Sequence, residues 1–108
     1  MIIKLEMVKV KNFTIGHSGV VDSKEVSKQI VDEIEKEWRT KRPVVVDFED
    51  VKYLSIDESQ NIFGAAYTAS GSTGLTFQQN YQIINVDASI AMSIVDGIAK
   101  EINEKKRK

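Results

Sequence analysis

Residues 44–51 read Val44-Val45-Val46-Asp47-Phe48-Glu49-Asp50-Val51, an unbroken apolar run closed by an acid and followed by a turn. A strand with one wet face would alternate apolar and polar residues. This one leaves no polar face, as strands do when both faces of a parallel sheet are covered. The run is therefore expected to be a central strand over 44–48, with parallel neighbours and helices packed on it. Pro43 stands just before it and ends whatever helix precedes, because the residue before a proline avoids helical geometry.

Upstream, residues 23–40 form the clearest helix. Val26, Ile30, Ile34 and Trp38 recur every four residues as one apolar stripe. Asp22 and Glu25 match a capping-box pattern at its start. The acid-to-base pairs Asp32/Lys36, Glu35/Arg39 and Glu37/Lys41 suit a solvent side. Earlier still, Ile3, Leu5 and Met7 alternate with Lys4 and Glu6, which reads as a half-buried strand. Val8 and Val10 continue in the opposite phase, so a bulge is expected near Met7. Asn12 is expected to turn the chain. Phe13 and Ile15 suggest a second short strand, and His17-Ser18-Gly19 a loop.

Downstream, Ser55-Ile56-Asp57-Glu58 is a second capping box, predicting a helix from Ile56 toward Ala69 with Ile62, Phe63 and Ala66 inward. Gly64 beside Ala65 and Ala66 predicts close approach to a neighbour. Ser70-Gly71-Ser72-Thr73-Gly74 predicts a flexible connection. Residues 81–86 read as a strand, and Asp87 as the cap of a last helix over 88–103. Its inner face is expected to be Ala91, Met92, Val95, Ile98, Ala99 and Ile102. Residues 104–108 are expected to be a frayed, charged tail.

The order strand, possible short strand, helix, strand, helix, strand, helix predicts one α/β domain over 1–108. It would be built on a mixed sheet of about four or five strands with helices packed on it. At 108 residues the chain can bury a real core unaided. With no cysteine, disulfides, thiolate catalysis and Cys-based metal sites are excluded, and one histidine leaves little for a His-based metal site. No cofactor is expected. A net charge of −1 gives no field to recruit nucleic acid or a membrane. The N-terminal Lys/Glu alternation does not read as a signal peptide, so the cytoplasm is the expected location.

Residues 43–102 resemble the STAS domain, the fold of bacterial anti-sigma factor antagonists, and more closely its STAS-like branch of uncharacterised bacterial proteins. The resemblance is carried by Val44-Val45-Val46-Asp47-Phe48-Glu49-Asp50-Val51, Ser55, Ile62-Phe63-Gly64 and Ile83-Ile84-Asn85-Val86. It implies partner switching: docking on an ATP-binding kinase of the histidine-kinase ATPase fold, which phosphorylates a serine at the start of the helix after the Asp-ending strand. That family carries an Asp-Ser-Ser-Gly-type run there. Here the matching stretch is Ser55-Ile56-Asp57-Glu58, with Ile56 at the phosphoacceptor position. Docking without a phosphoswitch at that position is the expectation.

The candidate residues carry plainer readings beside functional ones. A partner-binding surface would comprise Asp50, Ser55, Ile56, Asp57, Glu58 and Ser59. Ser55 could instead be only a helix cap, worth about 1 kcal/mol. Asp47, at the carboxyl end of the central strand, could join Ser70, Gly71, Ser72 and Thr73 as a small-ligand or nucleotide site, or simply cap its own turn. No Gly-Lys-[Ser/Thr] follows those glycines, so they make no Walker loop. His17 beside Ser18 lacks the strand–turn–helix setting of a hydrolase. The Lys105–Lys108 tail is too short for a nucleic-acid stripe. The leading expectation is a non-catalytic regulatory protein-binding module. A ligand-binding domain is the alternative and a small hydrolase the third. The sequence also admits a homo-oligomer.

Overall fold

The computed structural model describes residues 7–40, 43–69, 77 and 79–106. Ile3 and Leu5 of the expected first strand, the Ser70–Gly74 connection, and Arg107 and Lys108 lie outside the described residues. Among the described residues there are five strands: β1 (Val8–Lys9), β2 (Val20–Val21), β3 (Val44–Asp47), β4 (Tyr53–Leu54) and β5 (Tyr81–Ile84). The helices are α1 (Lys24–Thr40), α2 (Ile56–Ser59), a π-helical segment (Gln60–Gly64), α3 (Ala65–Ala69) and α4 (Ala88–Lys106).

The expectation for residues 44–48 holds in its essentials. β3 lies between β1 and β5 and pairs with both in parallel, with Val8 opposite Val46 and Val44 opposite Tyr81. Val44 and Val46 are shut away from water and Val45 is half-buried, because β1 and β5 take the strand's edges and helices pack on it. Val44, Val46 and Phe48 are buried with Val26, Ile30 and Ile34 of α1, Ile62 and Phe63 of the π segment, and Ile90 and Ile94 of α4. Phe48 meets Phe63 with ring centroids 5.9 Å apart. Trp38 stacks on Tyr81 at 5.2 Å, so the last turn of the α1 stripe packs on the start of β5.

Among the described residues the strands do not form one mixed sheet of four or five. They make a three-stranded parallel sheet plus a separate parallel pair, β2 with β4, two residues each. The cause lies in residues 10–19. Val10–Phe13 wind into a 3-10 turn instead of reaching a second strand at Phe13 and Ile15. Turns carry the chain on to Val20, with Ser18 at φ +56° and Gly19 at +75°. At Gly19 a side chain would meet the Asp50 carbonyl at 3.0 Å, so the close passage of the two loops needs glycine. Ile15 is left exposed.

Three further boundaries differ from expectation. Ser23, not Asp22, caps α1, its Oγ accepting from Val26 N–H (3.3 Å). α4 does not fray at residue 104 but stays helical to Lys106, with Glu104 accepting from Gln60 Nε2 at 2.7 Å. The inner face of α4 is rotated: Ile90, Ile94 and Gly97 are buried, Ala91, Ile98 and Ile102 are half-buried, and Met92, Val95 and Ala99 face outward. The helix is apolar on more than one side, so hydrophobic periodicity did not single out the face the core would take. Asp87 caps it as expected, its Oδ1 accepting from Ile90 N–H at 2.8 Å. No described helix is long and apolar enough to cross a membrane.

Candidate functional surface at the strand ends

The carboxyl ends of β3 and β5 and the start of α2 form one neighbourhood. Asp47 closes β3 and is buried. Its Oδ1 accepts from the Glu49 backbone N–H (2.9 Å) and from Asn85 Nδ2 (2.9 Å). A hydrogen bond from Phe48 N–H to the Ile84 carbonyl (3.0 Å) extends the β3–β5 ladder. Asp50 (φ +64°) and Asn85 (φ +58°) then take left-handed geometry, which Asp and Asn tolerate better than most side chains. Asp47 thus organises two turns with the oxygen that a ligand site would otherwise have free. A hollow of about 540 Å³ lies elsewhere, where Tyr81 starts β5, among Ile34, Trp38, Ile62 and Ala66. The other residues of the sequence-derived ligand site, Ser70 to Thr73, lie outside the described residues. His17 is exposed in the turn before β2.

The helix start is held by five hydrogen bonds. Ser55 takes extended geometry and its Oγ accepts from Glu58 N–H (3.2 Å), which is the cap expected from sequence. The other arm of the box is absent, because Ser55 N–H already donates to the Val21 carbonyl (2.9 Å). The Glu58 carboxylate is therefore free to turn inward, where its Oε1 accepts from Ser27 Oγ (2.8 Å) and Asn61 Nδ2 (2.9 Å). Ser59 N–H donates to the Ser55 carbonyl (2.9 Å), closing the first turn.

This corrects part of the expected docking surface. Glu58 and Ser59 are buried and cannot meet a partner in this conformation; Ser59 is 0% exposed. Asp50, Ile56 and Asp57 are on the outside, and Ser55 is half-buried. Ile56 is 44% exposed and Tyr53 49%. Asp57 pairs with Lys100 of α4. The hydrogen bond from Lys100 holds the Asp57 carboxyl below its usual range and raises the Lys100 ammonium above its own. Both groups are exposed, so the pair orients side chains more than it stabilises the fold. Lys11 sits 3.5 Å from Asp50 in the same way.

Four participants escaped the sequence reading. Ser27 lies on the core side of α1 one residue after Val26, and its spacing to Ile30 and Ile34 was the available signal. Asn61 and Asn85 carried no local pattern that tied them to Glu58 and Asp47. Gly97 had none either: a Cβ there would lie against Ser59 Oγ and 2.7 Å from the Gln60 backbone nitrogen, so α2 and α4 touch through backbone.

Ser59 Oγ has no hydrogen-bond partner although it is fully buried. A buried hydroxyl left unsatisfied costs about 1–3 kcal/mol. Ser59→Ala is expected to raise stability by about 1 kcal/mol, part of the gain being lost to a small void. Chemical denaturation measures it, and a loss of stability would show that the hydroxyl is satisfied in solution.

Comparison of the chain with protein-family models, curated proteins and solved structures finds no match.

Proposed function

We propose that this chain is a non-catalytic regulatory module of STAS-like type that docks on a protein partner through the start of α2. The single observation that carries this reading is the exposed Ile56 on a helix start that is already rigid. Ser55 caps it, Ser59 N–H closes its first turn, and the Asp57–Lys100 pair ties it to α4. An apolar side chain held ready in this way loses little entropy on binding. Tyr53, three residues earlier, adds an aromatic group of the kind that dominates interface energetics. Asp50 and Asp57 give the surroundings an acidic character, which suits a partner with a basic rim.

The partner type comes from the sequence resemblance: an ATPase of the histidine-kinase-like fold, met in the cytoplasm. Regulation by phosphate at this helix is not part of the proposal. Ile56 has no hydroxyl, Ser59 is enclosed, and the Ser55 hydroxyl is engaged as the cap. The signal would therefore act through the partner or through occupancy of the surface. The engagement of Asp47 Oδ1 by two turns of its own chain favours this reading over ligand binding.

A photo-reactive residue placed at position 56 in the host cell is expected to give an adduct with such an ATPase, and the same residue at Ile15 none. Titration calorimetry with the recovered partner should then show Ile56→Glu binding at least ten-fold more weakly, about 1.4 kcal/mol, with an unchanged melting temperature. Full affinity in that variant, or equal adducts from both positions, would refute docking at α2.

A further inference from the structure

We infer that the outward face of α4 is a self-association surface, on which a second copy of this chain packs its own α4 in antiparallel fashion about a two-fold axis. The inference does not rest on the docking reading above. α4 uses Ile90, Ile94 and Gly97 to face the core. On the opposite side, Ala88, Met92, Val95 and Ala99 are all exposed, Met92 and Val95 at 60% each. These four residues follow the spacing of one helical stripe, and no charged residue interrupts it. A helix apolar on two opposite sides has one side too many for a molecule that covers only one.

Charge selects the occupant and its direction. Asp87 stands at the start of α4, while its C-terminal end, residues 100–106, holds the lysines Lys100, Lys105 and Lys106 against the acids Glu101 and Glu104 and so stays net basic. Two such helices side by side in parallel would bring like ends together. Antiparallel packing places the basic end of each copy beside the Asp87 end of the other and opposes the two helix dipoles favourably. A two-fold axis near residue 97 sets Val95 of one copy against Ala99 of the other, and Met92 against the half-buried Ile102. A surface that complements itself under a two-fold needs no other protein.

The size of the face sets the strength. From Ala88 to Ile102 the helix runs about 21 Å and is roughly 10 Å across. That is less than the ~800 Å² per partner of a standard interface. A weak, transient dimer, dissociating at about 10–100 µM, is therefore expected.

Sedimentation velocity on the full chain is expected to show a concentration-dependent monomer–dimer equilibrium, with the dimer prevailing near about 100 µM. The double variant Met92→Glu/Val95→Glu, both changes on exposed sites, should weaken it at least ten-fold with an unchanged circular dichroism spectrum. The chain has no cysteine, so direction can be trapped separately. Under mild oxidation, Val95→Cys protein mixed with Ala99→Cys protein should cross-link faster than either alone. Ile56→Glu should leave the equilibrium unchanged, which separates this surface from the α2 site. A chain that stays monomeric near that concentration would assign the face to a different protein and overturn the inference. So would a dimer that survives the double variant, or cross-linking no faster in the mixture than in the separate proteins.

Discussion

Gly97→Ala is expected to lower the stability of this protein by about 2 kcal/mol, although alanine is the better helix former. In an open helix the exchange would gain about 1 kcal/mol. Here the added methyl lies 2.7 Å from the Gln60 nitrogen and 2.7 Å from the Ser59 carbonyl carbon, as well as against Ser59 Oγ. Backbone atoms cannot swing aside as a side chain can, so α2 and the π segment must move off α4. Overpacking of this sort costs about 1–3 kcal/mol and more when backbone is displaced, which outweighs the propensity gain. At this chain length the melting temperature should fall by about 8 °C. Trimming the serine in a Gly97→Ala/Ser59→Gly variant should restore only part of the loss, because the Gln60 and Ser59 backbone contacts remain. A melting temperature equal to or above that of the parent would show that α2 and α4 are not in backbone contact. Gly64→Ala is a useful contrast: its nearest neighbours are side-chain atoms of Glu101 and Gln60, so its cost should be smaller.

Asp47→Ala is expected to cost a similar amount, about 2 kcal/mol, for an electrostatic reason. The buried Asp47 carboxylate accepts from Glu49 N–H and from Asn85 Nδ2. Hydrogen bonds to a charged group contribute about 1.5–3 kcal/mol each, discounted here because Glu49 and Asn85 both reach solvent. Removing the carboxylate frees the turn after β3 and the left-handed Asn85 after β5 together. Asp47→Asn keeps an acceptor oxygen in place and should cost only about half as much. Denaturation curves for the two variants provide the comparison. If alanine and asparagine were equally tolerated, Asp47 would not be the organiser of these turns, and a ligand role for it would regain ground. Loosening at Asp47 should also raise amide exchange at residues 48–51 more than in α1, since the turn is local and α1 is anchored by the core.

Much of this architecture was legible in local patterns. Val44-Val45-Val46 demanded a strand covered on both faces, and the structure places β3 at the centre of a parallel sheet. The Val26, Ile30 and Ile34 spacing led to a buried stripe on α1, and Ser55 and Asp87 announced two helix starts. These features are legible because their causes are local: a side chain reaching an amide three residues on, or a period of 3.6 or 2 that fixes one face. Others were misread at the same range. Asp22 fits the capping-box pattern with Glu25, yet Ser23, one residue on, is the side chain that accepts from the Val26 amide.

What only the tertiary structure decided has non-local causes. Glu58 reads as half of a capping box, yet the Val21 carbonyl, 34 residues before Ser55, took the Ser55 amide that the box would have used. The carboxylate then turned to Ser27 on another helix. The π segment Gln60–Gly64 sits in what reads as one continuous helix, in the stretch where α2 lies against Gly97. α4 offered the core more than one apolar side, and only packing against β4, α2 and the π segment selected Ile90, Ile94 and Gly97, leaving Met92 and Val95 outside. By itself the sequence determined the strands β3 and β5 and the helix starts of α2 and α4, because hydrogen bonds and burial periods act within a few residues; it did not mark β2 or β4, and it placed a strand at Phe13 and Ile15 where the chain turns. The tertiary structure decided which side of α4 is buried, where Glu58 and Ser59 point, and that Ile56 and Tyr53 face outward. Those outcomes depend on which backbone groups and surfaces distant segments have already occupied.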